Sequence, residues 1–189
     1  MLYYLAVSTV LNKRRNWNIM ALLDSEETRI TEILVIEDDP REVENIVEEL
    51  GGYKVAHLKN AYEWTKLRDS GSPLPGVVLI DCMIPGSSHA GVEAELHPYG
   101  VAIALECIVS GVPFVAIVSK DCHDSNLVPA YLRRLFRRRE HGEPGSCANC
   151  RCVSTYVGNT HFITAFEAIK NPGPNRLKAW RHVLAHLID

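Results

Sequence analysis

Ile33-Leu34-Val35-Ile36-Glu37-Asp38-Asp39-Pro40 decides the fold. Four branched apolar residues stand in a row with no polar residue alternating between them. Such a run suits a strand covered on both faces, as inner strands of a parallel sheet are. It stops at three consecutive acids and a proline. Proline fits the first turn of a helix, and an aspartate before it can cap the open N–H groups. From Arg41 to Leu50, apolar residues recur at Val43, Ile46, Val47 and Leu50, the spacing of a helix with one buried stripe. Gly51-Gly52 supplies the stop.

The same pattern recurs along the chain. Tyr53 to Leu58 reads as a second strand. Gly76 to Ile80 (GVVLI) is a third, ending at Asp81, and Pro113 to Val118 (PFVAIV) is a fourth, ending at Ser119. Phe162 to Ile169 reads as a fifth. Ala61 to Arg68, Tyr99 to Ser110, Leu127 to Arg139 and Leu177 to Leu187 read as helices, the third with a basic C-terminal end that suits the helix dipole. Trp64 and Trp180 fall on helical stripes and read as core. Asp69 to Pro73 and the segment beginning at Pro85 read as loops, and residues 140–160, rich in Gly, Cys and Asn, as irregular. Strands alternating with helices predict a three-layer α/β domain, a parallel sheet with helices on both faces.

Length and composition agree with this. The chain has 189 residues, 47% of them hydrophobic and 23% charged, as expected of one globular domain. We expect an N-terminal extension over residues 1–30 and one α/β domain over 31–189, with an irregular insertion at about 140–160. A net charge of -3 argues against a general nucleic-acid binder. The N-terminal apolar run ends at Leu11, short of the roughly 20 residues that span a bilayer. Its basic cluster Lys13-Arg14-Arg15 follows the run, where a secretory signal would have it in front. Two readings stand for this segment: an added extension, or translation that starts at Met20. Cys82 and Cys107 lie in core-like segments, so we expect reduced thiols and a cytoplasmic protein.

In open α/β sheets ligands bind beyond the carboxyl ends of the strands. Glu37 and Asp38 end one strand, Asp81 another and Ser119 a third. Carboxylates gathered there raise one another's pKa, and a hard divalent cation such as Mg²⁺ removes the conflict. A carboxylate is also a competent nucleophile toward phosphorus. A hydroxyl and a lysine would complete such a site: Ser119 supplies the first, and Lys170 or Lys120 the second. The blander reading is that Asp39-Pro40 caps a helix and Asp81 is a turn residue.

Two of these stretches carry a resemblance. Ile33 to Pro40 (ILVIEDDP) resembles the first strand and acidic turn of response-regulator receiver domains. Val77 to Gly86 (VVLIDCMIPG) resembles their third strand, phosphoacceptor aspartate and following loop. The likeness is good over residues 32–120 and weaker beyond. It implies a five-stranded parallel sheet of flavodoxin-like order 2-1-3-4-5. It implies Mg²⁺ bound by Glu37, Asp38, Asp81 and the Met83 carbonyl, with phosphorylation on Asp81. Ser119 would be the switch hydroxyl, and Lys170, in Lys170-Asn171-Pro172, the lysine that contacts the phosphoryl group. A histidine kinase or phosphotransfer protein would be the donor. With no DNA-binding motif in sight, output would be a protein–protein contact, including a homodimer, with no nucleic acid or membrane involved. The stretch from Ser119 to Lys170 is about twice the familiar length, which keeps open a second reading, a receiver-like scaffold without phosphotransfer. A Mg²⁺-dependent phosphohydrolase is a third, although Asp81-Cys82-Met83 lacks the aspartate two residues on that such enzymes use.

His141, Cys147, Cys150 and Cys152 lie within a dozen residues, and Cys147 and Cys150 have zinc-ligand spacing. Zn²⁺ stapling a long loop is one reading, an exposed loop or redox pair the other. The basic run Arg133 to Arg139 reads as a solvated helix face.

Overall fold

The computed structural model describes residues 32–87, 96–120, 151–171 and 175–188. Strands β1 (Glu32–Ile36), β2 (Lys54–Leu58), β3 (Val77–Asp81), β6 (Phe114–Val118), β7 (Arg151–Val157) and β8 (Thr160–Phe166) form one sheet in the order β2-β1-β3-β6-β8-β7. All neighbours are parallel except β7, which runs antiparallel to β8. The loop after β3 is closed by a separate two-stranded ribbon, β4 (Ile84–Pro85) with β5 (Leu96–His97). The helices are α1 (Pro40–Leu50), α2 (Ala61–Asp69), α3 (Tyr99–Val109) and α4 (Trp180–Ile188). The expected α/β architecture is present. The main sheet is nevertheless mixed and six-stranded, where a wholly parallel five-stranded one was expected.

The unbroken apolar runs follow from burial on both faces. Ile33, Val35, Val77, Leu79, Ala116 and Val118 face one layer, with Ile46 and Leu50 of α1 and Trp180, Val183, Leu184 and Leu187 of α4. Leu34, Ile36, Val78, Ile80, Val115 and Ile117 face the other, with Trp64 of α2 and Ile103, Ala104 and Cys107 of α3. Each fully buried large side chain contributes roughly 1.5–3 kcal/mol of transfer free energy. Trp64 and Trp180 are core residues, as their stripes predict, and each indole N–H has an acceptor: Glu106 at 2.7 Å and Glu42 at 3.2 Å.

Caps fix where the helices begin. The Asp39 carboxylate accepts from the Arg41 N–H at 3.0 Å, and hydrogen bonds from Arg41 hold that carboxyl below its ordinary range. Asn60 accepts from the Glu63 N–H at 2.9 Å, while the Glu63 carboxylate reaches back to the Lys59 N–H at 2.7 Å.

Two departures from the sequence reading lie at the C-terminal edge. The segment read as irregular contains β7. The fifth parallel strand starts and ends earlier than expected, at Thr160 and Phe166. Gly158-Asn159 joins the two strands, with Gly158 at φ 62°, the positive φ that a two-residue hairpin turn requires. His161 ties this edge to the domain: one ring nitrogen is 2.6 Å from the Leu187 carbonyl, the other 2.6 Å from the Ser154 hydroxyl. The carbonyl only accepts, so Nδ1 carries a proton. The helix read at Leu127 to Arg139, the N-terminal extension, and His141, Cys147 and Cys150 lie outside the described residues. Cys152 is half-buried on β7. No helix among the described residues is long and apolar enough to cross a membrane.

A carboxylate and lysine cluster at the strand ends

Strand register brings the acids together. Ile36 of β1 stands opposite Ile80 of β3. The next residue of each strand, Glu37 and Asp81, therefore emerges side by side at the same edge. Glu37, Asp38 and Asp81 each offer an oxygen within 4.8 Å of the others. Glu37 is 1% exposed and Asp81 9%, so neither charge is dispersed by water. Burial pushes the Glu37 carboxyl up to about 7, and Asp81 adds to the rise. Burial also raises Asp38 and Asp81, with Glu37 contributing to the first and Asp38 to the second. A main-chain hydrogen bond from Met83 acts in the opposite sense on Asp81.

The counter-charge comes from Lys178, which the sequence reading did not select. Its ammonium bridges Glu37 Oε2 and Asp81 Oδ1, the latter at 2.9 Å. Lys178 is 2% exposed. Burial alone would lower its pKa, yet Asp81 and Glu37 beside it hold the ammonium above the ordinary lysine range. With all groups ionised, three carboxylates and one ammonium sum to a charge of -2.

Lys170 occupies a different place. Its ammonium lies 3.2 Å from Asn45 Oδ1 and 3.3 and 3.4 Å from Glu48 and Glu49, all on α1. Lys120 pairs with Glu42 at 3.1 Å and with Asp39 at 3.5 Å. The reason lies in the chain after β8. The main chain of Ala168 bonds to Ser119, and that of Ala179 bonds back to Ala168 at 3.1 Å. Between these points Ile169 and Lys178 pair in an antiparallel bridge. On the Ile169 side of this bridge Lys170 lies against α1, and on the other side Lys178 meets the carboxylates. Leu177-Lys178-Ala179-Trp180 offers one weak signal, a lysine two residues ahead of a tryptophan on a buried stripe.

Ser119 directly follows β6, the neighbour of β3, and is buried. Its main chain is fixed by bonds to Ala165 at 2.9 Å and Ala168 at 3.0 Å. On the opposite side, the first turn of α3 presses on the strand end. A Cβ added to Gly100 would lie 1.9 Å from the Asp81 carbonyl oxygen, so only glycine allows this approach. The Tyr62 N–H at the start of α2 donates to the Gly86 carbonyl at 3.0 Å and fixes the loop after Asp81.

The donor set fits a hard divalent cation: all oxygen, all carboxylate, with negative charge left over after Lys178. Glu37 fits less freely than the other two. Its Oε1 accepts from the Asp39 N–H at 3.0 Å and its Oε2 from Lys178, which leaves one lone pair on each oxygen. The same set is suited to nucleophilic attack by a carboxylate beside a fixed cation. The chain matches no protein-family model, and a search of curated proteins finds no match.

Proposed function

We propose that the chain is a receiver-type phosphoacceptor module in which Asp81 carries the phosphoryl group. One observation carries this reading: Glu37, Asp38, Asp81 and Lys178 converge at the ends of two adjacent parallel strands. The strand order β2-β1-β3-β6-β8 among the parallel strands supports it, with β7 as an addition at the edge. An Asp81 oxygen attacks phosphorus, the bond from phosphorus to the donor's nitrogen or oxygen breaks, and the donor leaves with that electron pair. Glu37, Asp38 and Asp81, with the Met83 carbonyl, would hold Mg²⁺, which neutralises charge on the phosphoryl oxygens when bound. Lys178 already lies on Asp81 and would pair with the new phosphoryl charge. Ser119, directly after the neighbouring strand β6, would be the switch hydroxyl. The donor class is a phosphohistidine protein of the cytoplasm, and the output is a protein–protein contact.

The test is incubation with acetyl phosphate and Mg²⁺, followed by intact mass and by hydroxylamine release of the acyl phosphate. The wild type gains one phosphoryl group and Asp81→Asn gains none. A wild type that stays unmodified overturns the reading. The position of Lys178 favours a second reading in that event, a receiver-like scaffold whose acids are neutralised internally. Titration with Mg²⁺ separates the two, because the scaffold binds no ion at the carboxylates.

A further inference from the structure

We infer that Glu42 and Asn45, two buried residues of α1, are positioning residues that hold the Lys178 ammonium against Asp81. The inference deepens the phosphoacceptor reading, and only its kinetic arm rests on that reading.

A lysine side chain has four rotatable bonds and much rotamer freedom to lose, so its aim depends on a fixed main chain. Here the main chain of Lys178 is gripped at both ends. Its N–H donates to Glu42 Oε1 and Oε2, each at 3.1 Å. Its carbonyl accepts from Asn45 Nδ2 at 2.8 Å. The same Asn45 nitrogen lies 3.3 Å from Glu42 Oε2, so the two side chains brace each other. The Trp180 N–H and the Lys120 ammonium complete the shell around Glu42.

Polar groups at these positions are not demanded by the helix. Glu42 and Asn45 sit on the stripe of α1 that otherwise buries Ile46 and Leu50, and Glu42 is 0% exposed. A buried carboxylate is costly unless it is fully hydrogen-bonded, and an apolar residue would fill the stripe more simply. What Glu42 and Asn45 do there is fix the segment that carries Lys178. The arrangement also joins Lys120, the residue after Ser119, to the same carboxylate, so the strand end of β6 and the lysine share one anchor.

The experiment uses the full chain with ¹⁵N-labelled lysine and follows the ammonium signals, Lys178 being assigned by its loss in Lys178→Met. The wild type shows a slowly exchanging Lys178 signal. In Asn45→Asp, which keeps shape but loses the donor to the Lys178 carbonyl, and in Glu42→Gln, that signal shifts or broadens away. Asn45→Ala, which leaves Glu42 in place, serves where either variant fails to fold. Trp64→Phe, on the opposite face of the sheet, lowers stability and leaves the signal in place. In the kinetic arm, the rate of Asp81 phosphorylation at saturating acetyl phosphate falls roughly 10- to 100-fold in the α1 variants, with little change in half-saturation. A Lys178 signal identical to wild type in the α1 variants, or no slowly exchanging signal in the wild type, overturns the inference. An unphosphorylated wild type overturns the phosphoacceptor reading instead and leaves the ammonium signal to decide.

Discussion

Replacing Lys178 by methionine keeps most of the side-chain volume and removes the only positive charge hydrogen-bonded to Glu37 and Asp81 among the described residues. Removing one partner of a buried ion pair typically costs about 3–5 kcal/mol, because the remaining charge is left without compensation. Here two carboxylates lose the same partner, so the upper end is expected, against a total stability of roughly 5–15 kcal/mol for a domain. The loss has a pH signature. The folded pKa of Glu37 is about 7, above its ordinary value of 4.5, so the folded state binds the proton more tightly than the unfolded state. Such a group costs stability progressively as pH rises from the unfolded pKa through the folded one. Without Lys178 the folded pKa values of Glu37 and Asp81 rise further. Wild-type Glu37 itself keeps its proton up to about 7, so the pH-dependent part of the variant's deficit opens as pH rises past about 7 and grows until the variant's own, higher pKa values are passed. Urea unfolding at pH 5 and pH 8, followed by tryptophan fluorescence, measures it. Mg²⁺ should restore part of the deficit, because the cluster's charge has moved from -2 to -3. Equal stability of variant and wild type at pH 8, or a deficit that does not change with pH, would refute the electrostatic account.

Three further outcomes are expected. Gly100→Ala forces backbone apart at the Asp81 carbonyl and should cost about 3 kcal/mol in urea unfolding, with loss of phosphorylation at Asp81 even where the protein remains folded. Burial pushes the Cys82 and Cys107 thiols up to about 12, so at pH 8 iodoacetamide should leave both unmodified in the native protein and modify both in urea, as peptide mapping would show; equal labelling in the two states contradicts their burial. His161→Ala strips the partner from the Leu187 carbonyl and should cost about 2–3 kcal/mol, whereas Ser154→Ala, at an exposed position, should cost under about 1 kcal/mol by thermal unfolding.

The central strands were legible because burial on both faces imposes an unbroken apolar run, which leaves little else for Ile33 to Ile36 or Val77 to Ile80 to be. Glu37, Asp38 and Asp81 were legible for a related reason: in parallel strands the register that aligns the apolar runs also aligns the residues at their carboxyl ends. β7 was read as irregular because Arg151, Ser154 and Gly158 dilute its apolar content. Its alternating Val153, Thr155 and Val157 and the Gly158-Asn159 pair were the usable signals. For Lys178 the sequence held only a weak signal, its position two residues ahead of Trp180. Its place depends on a main-chain bridge between Ile169 and Lys178 and on grips from Glu42 and Asn45, more than 130 positions earlier, and no local pattern encodes either. Lys170, read from Lys170-Asn171-Pro172, lies against Asn45, Glu48 and Glu49 of α1.

The closed base of residues 169–178 separates the length of that segment from the geometry it serves. Ile169 pairs with Lys178 and Ala179 returns to Ala168, so main-chain contacts on both sides of Lys178 fix its place beside Asp81. Doubling the number of residues in a flexible loop costs only about 0.6 kcal/mol in closure entropy. Grafting a short peptide epitope between Asn171 and Asn175 should therefore leave the lysine seated against Asp81.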